Sequence, residues 1–245
     1  MARTMTIAPP TLLASDVLEA AGHTVKGPVR PTNQDTLLVL GPGLPIVDDA
    51  DRGYLFAVID GLGRKGGAVA AEIARETLLE YYSEPGDAGP ERLERLLHEA
   101  NRRIIAETFR RLELRRMGAV FSCLWTDGRR TELLHAGDSR VYGFVGDEMI
   151  QLTEDEADER GRVRNHLGHP RMAVRRRELP ANRYGAFLLC SDGLTKEVGD
   201  ARILDLVGRS GAPDVAVTEL LKAALAAGGR DNATVVCVSM RSGSG

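Results

Sequence analysis

The sequence has few cysteines, few aromatic residues and no long apolar segment. Three of the 245 residues are cysteine, and Phe, Trp and Tyr together make up 4 %. An odd cysteine number without a CxxC pair argues against a disulfide framework and against a thiolate zinc site. No apolar run approaches the roughly 18 residues that span a bilayer. The N-terminus also lacks the apolar region of a signal peptide. We therefore expect a cytoplasmic protein with no membrane partner.

An excess of either charge is also missing. The chain has 32 Lys and Arg residues against 35 Asp and Glu residues, which gives a formal net charge of −3. This balance argues against a polybasic nucleic-acid-binding protein and against an acidic tail protein. Apolar residues account for 43 % and charged residues for 27 % of the chain. These fractions are ordinary for folded globular domains, so we expect a packed core and no nucleic-acid partner.

The apolar patterns predict strands and helices in blocks. After two short strand-like runs, residues 68–82 and 90–112 carry apolar side chains at helical spacing. From Gly118 the period becomes two, and Asp127-Gly128 marks one of the hairpin turns. A further helical run, 212–229, precedes a last strand, 233–240. Blocks of this kind favour an antiparallel α+β architecture over a parallel βαβ sheet.

No linker or repeat divides the chain into two domains. Residues 1–20, which include Pro9 and Pro10, are predicted to be a flexible leader. Residues 21–241 would form a single domain, and residues 242–245 a short tail.

Five aspartates share one context, because each stands at the end of an apolar strand-like run: Asp35, Asp60, Asp138, Asp192 and Asp231. Carboxylates that converge at strand ends repel one another and are costly to bury. Mg²⁺ or Mn²⁺ would resolve this conflict, because both ions prefer oxygen ligands. Two such ions can lower the pKa of a bridging water and hold it for phosphoryl displacement. The alternative is that the Asp-Gly pairs only mark turns, as Asp127-Gly128 does.

Six segments in order make the chain resemble the metal-dependent serine/threonine protein phosphatases of the protein phosphatase 2C (PP2C) family. They read GPVRPTNQD, LFAVIDGLG, LLHAGDSRVY, QLTEDE, FLLCSDGLT and GGRDNATVV, and they lie between about Ala21 and Met240. The resemblance implies the family's four-layer α-β-β-α sandwich, in which two packed antiparallel sheets are flanked by helix pairs. The segment that corresponds to the family's flap is shortened here.

The resemblance also implies a ligand set for two Mn²⁺ or Mg²⁺ ions. Asp60 would bridge both ions, and the carbonyl of Gly61 would bind the second. Asp192 and Asp231 would complete the first. Asp138 matches a residue that helps to bind a third, weaker metal ion in bacterial members of the family.

Three further residues take roles from the same resemblance. Asp35 would ligate a metal ion or hydrogen-bond the metal-bound waters, and Arg30 would hold the substrate phosphate. Asn232 would support the metal ligands without binding the ions itself. The implied reaction is hydrolysis of phosphoserine and phosphothreonine in proteins by direct attack of a metal-bridging water or hydroxide. The partners would be a bacterial serine/threonine kinase or its phosphorylated substrates, and we expect a monomer.

Two departures from the family pattern leave a second hypothesis open. Arg64 stands where the family usually has a glycine, and only about a dozen residues separate Glu156 from a strand-like region near Gly168. The alternative is a catalytically impaired PP2C-like module that binds phosphoproteins or regulates them. The arginine-rich segment after Glu156 is expected to be a salt-bridged surface, with docking of acidic phosphopeptides as the other interpretation.

Two short motifs point to other chemistry and are set aside. GLGRKG, 61–66, fits a dinucleotide-binding fingerprint, but Asp60 would bring a carboxylate near the pyrophosphate. CLWTDGR, 123–129, has the spacing of cysteine-dependent phosphatases, but its cysteine lies within a predicted strand that runs into a hairpin turn.

Overall fold

Two antiparallel sheets form the centre of the molecule. A computed structural model of the chain describes residues 7–42, 52–180 and 182–241. The six-stranded sheet contains, in spatial order, β1 (Thr11–Ala14), β2 (Leu18–Val25), β11 (Ala233–Met240), β10 (Ala186–Cys190), β7 (Arg140–Val145) and β8 (Glu148–Gln151). The five-stranded sheet contains β3 (Asp35–Leu40), β4 (Tyr54–Leu62), β5 (Gly118–Thr126), β6 (Thr131–Ala136) and β9 (Arg175–Leu179).

Five α-helices accompany the sheets within the described residues. They are α1 (Gly67–Ser83), α2 (Pro90–Arg110), α3 (Asp192–Thr195), α4 (Asp200–Ser210) and α5 (Pro213–Ala226). A short 3₁₀ helix, Leu112–Leu114, follows α2. Pro90 and Pro213 open α2 and α5, where a missing backbone N–H costs nothing. None of the described helices has the length and apolarity needed to span a bilayer.

Strand β4 shows how the layers arise from a period of two. Leu55, Ala57 and Ile59 join a cluster with α1 and α2. Phe56 and Val58, which alternate with them, join the cluster between the two sheets. All five are fully buried, so the strand reads as continuously apolar while its side chains serve two layers.

The expected four-layer α-β-β-α sandwich is confirmed. The pair α1 and α2 covers the five-stranded sheet, and the pair α4 and α5 covers the six-stranded sheet. The three cysteines are free and buried, as their apolar surroundings in the sequence predict.

The start of the domain differs from the expected boundary at about residue 21. Strand β1 and the first residues of β2 lie inside the predicted leader, and β1 pairs with β2 from Thr11↔Gly22 to Ala14↔Glu19. Strand β2 in turn pairs with β11 over its whole length, Leu18↔Met240 to Val25↔Ala233. The two strands belong to the sheet because β11 offers β2 a full antiparallel partner. Residues 1–6 of the leader and the predicted tail, 242–245, lie outside the described residues.

The segment between β8 and β9 also differs from expectation. Near Gly168 there is only an isolated bridge, Ala119↔Leu167, and the next strand is β9. Its sequence RRREL has little β propensity, yet it pairs with β6, where Arg176 reaches Glu132 at 2.8 Å. The expected salt-bridged surface is present here, since Arg175 also binds Glu156 at 2.8 Å. A groove of about 1010 Å³ beside this segment contains none of the five aspartates.

Candidate active site

The register of β3 and β4 brings the first two aspartates together. Asp35 and Asp60 are directly opposite partners in this antiparallel pair. Side chains of opposite partners lie on the same face and about 5 Å apart, and like charges in such positions destabilise a sheet. The five-stranded sheet therefore ends in a pair of carboxylates that need compensation.

The other three aspartates come from adjacent strand ends of the six-stranded sheet. Cys190, the last residue of β10, lies opposite Arg140 on one side and Val235 on the other. Because these pairings are antiparallel, the residue after β10 meets the residues before β7 and β11 at one edge. Asp192, Asp138 and Asp231 occupy those places: each lies two residues beyond an end of its strand.

Hydrogen bonds join the two sheet ends at Asp35. Ser191 Oγ donates to Asp35 Oδ2 at 2.8 Å, and Thr234 Oγ1 donates to the same oxygen at 2.7 Å. Ser191 and Thr234 are fully buried members of the six-stranded sheet edge. Asp35 is thus held across the interface between the sheets by Ser191, which follows β10, and by Thr234 in β11.

Burial and neighbouring carboxylates raise the pKa values of Asp35, Asp60 and Asp138. Burial raises the pKa of Asp60 well above its usual range, and the charges of the four other aspartates raise it further. Burial also raises the pKa of Asp35 to about 6, although hydrogen bonds from Thr234 and Ser191 oppose the shift. Burial and then the charge of Asp192 raise the pKa of Asp138 to about 6. Such a cluster favours binding of a cation.

Two basic side chains supply part of that compensation. Arg30 Nη2 lies 2.5 Å from Asp231 Oδ2, and Lys196 Nζ pairs with Asp192 Oδ2. Burial works to lower the pKa of Lys196, but Asp192, helped by the other nearby aspartates, outweighs it and raises the pKa. Sequence reasoning missed Lys196. Its position four residues after Asp192, one helical turn further on, was the available signal.

Oxygen atoms without partners remain at the same place. Asp192 Oδ1 and Asn232 Oδ1 are buried and make no hydrogen bond within the described part of the chain. An unpaired buried polar atom costs about 1–3 kcal/mol, so oxygens of this kind suit an ion or a water. The backbone N–H of Asn232 also donates to Asp231 Oδ1 at 2.8 Å. The unpaired carboxylate oxygen of Asp192 and amide oxygen of Asn232 are the kind of ligand atom that a hard divalent cation prefers.

The carboxylates are not arranged as a complete set of metal ligands in the described part of the chain. Among the residues that the structure describes, no three His, Cys, Asp or Glu side chains form a group that could hold a metal ion as they stand. Two of the carboxylates instead have a basic partner, because Arg30 pairs with Asp231 and Lys196 pairs with Asp192. Ligand binding at this place would require Asp192 and Asp231 to exchange those partners for the ion.

Two glycines allow the backbone to approach the site closely. A Cβ on Gly61 would lie 2.2 Å from the carbonyl oxygen of Gly67. A Cβ on Gly193 would lie 1.8 Å from the carbonyl oxygen of Asn232. The glycine of each Asp-Gly pair is thus required by packing at the acid cluster. Asp127-Gly128, in contrast, forms the expected hairpin, where Asp127 Oδ1 accepts from the N–H of Arg129 at 2.9 Å.

The structure argues against the chemistry that the two other motifs suggest. Cys123 lies in the middle of β5, opposite Ala57 and Leu134, and burial raises the pKa of its thiol. A buried, protonated thiol cannot serve as a nucleophile. The GLGRKG segment does lead from β4 into α1, but it leaves an antiparallel sheet. A dinucleotide-binding fingerprint requires a parallel βαβ unit.

Comparison with known sequences decides the family. The sequence model described as protein phosphatase 2C matches residues 31–226. The chain belongs to the protein phosphatase 2C family. The PP2C resemblance that the six segments indicate is thereby confirmed.

Individual relatives agree with this assignment. The chain is 30 % identical, over an alignment of 247 positions, to the serine/threonine protein phosphatase PstP of Mycobacterium tuberculosis, covering 90 % of this chain and 44 % of the relative. It therefore spans less than half the length of that protein. The serine/threonine phosphatase stp of Listeria innocua is 26 % identical, with 90 % of this chain and 95 % of the relative covered.

A solved structure supports the same fold. The catalytic domain of serine/threonine protein phosphatase PstP, in complex with two manganese ions, superposes with a TM-score of 0.77 at 28 % identity. The match covers 95 % of this PP2C chain and 100 % of the other.

Proposed function

We propose that this chain is a metal-dependent protein serine/threonine phosphatase. The observation that carries the proposal is the meeting of five aspartates from two sheets, with Asp192 Oδ1 buried and unpaired among them. Family membership and the serine/threonine phosphatases among its relatives support it. The alternative, a catalytically impaired module, has no support in the site, since none of the acids is missing.

The acid cluster would hold two divalent cations. Asp60 interacts electrostatically with all four other acids and would contact both ions, with the Gly61 carbonyl, Asp192 and Asp231 as further ligands. Asp138 would contribute to a third, weaker site together with Asp192. Manganese in the PstP structure supports Mn²⁺ as one ion that fits, and Mg²⁺ has the same oxygen preference. Such ions supply a water of lowered pKa and neutralise phosphate charge.

The remaining side chains would position the reactants. Asp35, fixed by Ser191 and Thr234, would accept a hydrogen bond from the attacking water and orient it toward phosphorus. Arg30, on release from Asp231, would hold the phosphate oxygens through its guanidinium fork. Asn232 donates from Nδ2 to the carbonyl of Thr32 at 3.2 Å and would keep the loop that carries Arg30 beside the site.

The substrates would be phosphorylated proteins in the cytoplasm. A bacterial serine/threonine kinase, or the proteins that it phosphorylates, would be the partners, and the phosphatase would act as a monomer. The phosphatase domain would extend from β1 to residue 241, with residues 242–245 as a tail.

The test is hydrolysis of p-nitrophenyl phosphate and of a phosphothreonine peptide in the presence of Mn²⁺. We expect a chelator to abolish both activities, and Asp60→Asn or Asp192→Asn to lower kcat at least 100-fold, because each removes a charged ligand. Asp127→Asn is the matched control, since its carboxylate serves only the hairpin. Full activity in the chelator and in both site variants would disprove the proposal.

A further inference from the structure

A basic surface with two exposed apolar side chains lies beside the acid cluster. The basic patch, as we name it, consists of Arg64, Lys65, Phe109, Arg110, Arg111, Leu112, Arg115 and Arg116, all of which are exposed. Phe109 and Leu112 are 78 % and 70 % exposed. Large apolar side chains this open to solvent, set among cations, are typical of a surface that meets a partner.

The charge of the patch is only partly compensated. Arg110 and Arg111 pair with Glu107, and Arg111 also pairs with Glu113. Four other cations, Arg64, Lys65, Arg115 and Arg116, make no ion pair with any described residue. An exposed surface without a binding partner would be expected to carry positive and negative side chains in similar numbers. This face instead presents a surplus of positive charge within a chain whose formal net charge is −3.

Backbone packing connects the basic patch to the loop that follows Asp60. The loop that follows Asp60 rests directly on the turn after α2. A Cβ on Gly63 would lie 3.0 Å from the carbonyl oxygen of Arg116, and one on Gly66 would lie 2.5 Å from the Cβ of Met117. The patch thus begins four residues after Asp60 and includes the turn after α2.

The same turn contains an uncommon backbone conformation. Arg116 has a φ of 71°, a region that non-glycine residues rarely adopt. The turn is held there by hydrogen bonds from the N–H of Leu114 to Arg111 O at 2.8 Å and from Met117 to Leu114 O at 3.0 Å. Arg115 and Arg116 are therefore presented on a fixed turn, not on a free loop.

We propose that the basic patch binds an acidic segment of the phosphoprotein substrate, next to the phosphorylated residue, with an apolar substrate side chain on Phe109 and Leu112. The inference rests on the proposed function and names the class of substrate. Charge complementarity selects an acidic partner. The patch borders the acid cluster, and a phosphorylated chain whose phosphate reaches the aspartates must cross the border of the site. We therefore assign the acidic partner to the substrate. A lipid surface fits less well, because the carboxylates of Glu107 and Glu113 flank the apolar pair in the chain.

The test compares two phosphothreonine peptides that differ only in their flanks, one acidic with a leucine and one neutral. We expect a higher kcat/KM for the acidic peptide, through KM, and a decline of this preference with added salt. Lys65→Glu/Arg115→Glu should lower kcat/KM for the acidic peptide about tenfold, because the two exposed attractive charges become repulsive. Phe109→Ser should reduce it independently.

Arg129→Glu is the matched control. Arg129 is exposed and lies in the β5–β6 hairpin, at the opposite end of β5 from the site. Hydrolysis of p-nitrophenyl phosphate should be equal in all four proteins, which also shows that the variants fold. Equal kcat/KM for the two peptides in the unaltered protein, or no effect of the double substitution, would overturn the inference.

A direct binding measurement separates this inference from the proposed function. Fluorescence anisotropy with the labelled acidic peptide needs no turnover. If the chain hydrolysed nothing but the peptide bound and Lys65→Glu/Arg115→Glu abolished binding, only the function would fail. Binding to phosphatidylglycerol vesicles that the double substitution abolishes, without any peptide preference, would assign the patch to a membrane and overturn the inference.

Discussion

Lys196 and Arg30 act as counter-charges for the acid cluster. Each forms an ion pair with one carboxylate, on Asp192 and Asp231 respectively, that the proposed metal ions would need. Charged side chains in this arrangement stabilise the metal-free protein and compete with any cation that enters. Lys196 also interacts electrostatically with Asp138, so its competition would extend to the proposed third site.

Removal of the Lys196 charge should make metal binding tighter. We expect Lys196→Met to raise the affinity for Mn²⁺ about tenfold, because the ion no longer displaces an ammonium group. The same variant should be less stable without metal, since the acids lose a cation. Isothermal titration calorimetry and thermal unfolding in a chelator measure the two effects. Lys222→Met, which breaks an exposed pair with Glu219 at 2.8 Å, is the control. Unchanged Mn²⁺ affinity in Lys196→Met would contradict the prediction.

The ends of the strands determine where the five aspartates meet. The sequence predicts this meeting from a repeated pattern, in which an apolar run ends in an aspartate. It cannot supply the register that places Asp35 opposite Asp60, because register depends on the pairing of whole strands. Nor does it show that Ser191 and Thr234 carry the hydrogen bonds between the sheets.

The elements that sequence reasoning missed share a physical cause. Strand β9 is made of three arginines and a glutamate before its only apolar residue, so its strand state comes from pairing with β6 and from ion pairs. Helix α4 was not predicted, although its Ile203 and Leu206 pack under α5. Strands β1 and β2 are short or interrupted by small residues, and β11 recruits them from the other end of the chain. In all three cases tertiary contacts override weak local preference.

Gly193 provides a test of the close packing at the start of α3. We expect Gly193→Ala to lower the free energy of unfolding by about 2 kcal/mol or more, because the new methyl group would collide with the Asn232 carbonyl. Gly208→Ala is the matched control. It lies within α4 with nothing within 4 Å of its added Cβ, so the substitution should stabilise by up to about 1 kcal/mol. Urea denaturation measures both changes. Equal effects of the two substitutions would contradict the packing argument.

The acid cluster links the stability of the whole molecule to pH. Asp35 and Asp138 each have a pKa raised to about 6 from an ordinary value of 3.8. Between these two values the folded protein keeps protons that the unfolded chain has released, so stability falls as pH rises. The stabilising contribution is complete below about pH 4 and lost above about pH 6.

Divalent cations should reverse this loss. In a chelator, we expect the free energy of unfolding to fall by a few kcal/mol between pH 4 and pH 7 from these two carboxylates. With millimolar Mn²⁺ the decline should disappear at the upper end, because the ion takes the place of the protons. Chemical denaturation at several pH values, with and without metal, measures the difference. A metal-free protein that gains stability across this range would show that the acids do not interact as described.

The position of β11 affects when the site can form. This strand lies between β2 and β10, and Asp231 precedes it by two residues. A chain emerging from the ribosome therefore cannot place β2 in its sheet, or assemble all five acids, until about residue 240 is available. The proposed metal site could therefore not be complete before β11 has left the ribosome. The proposed activity on phosphoproteins would begin only after that point.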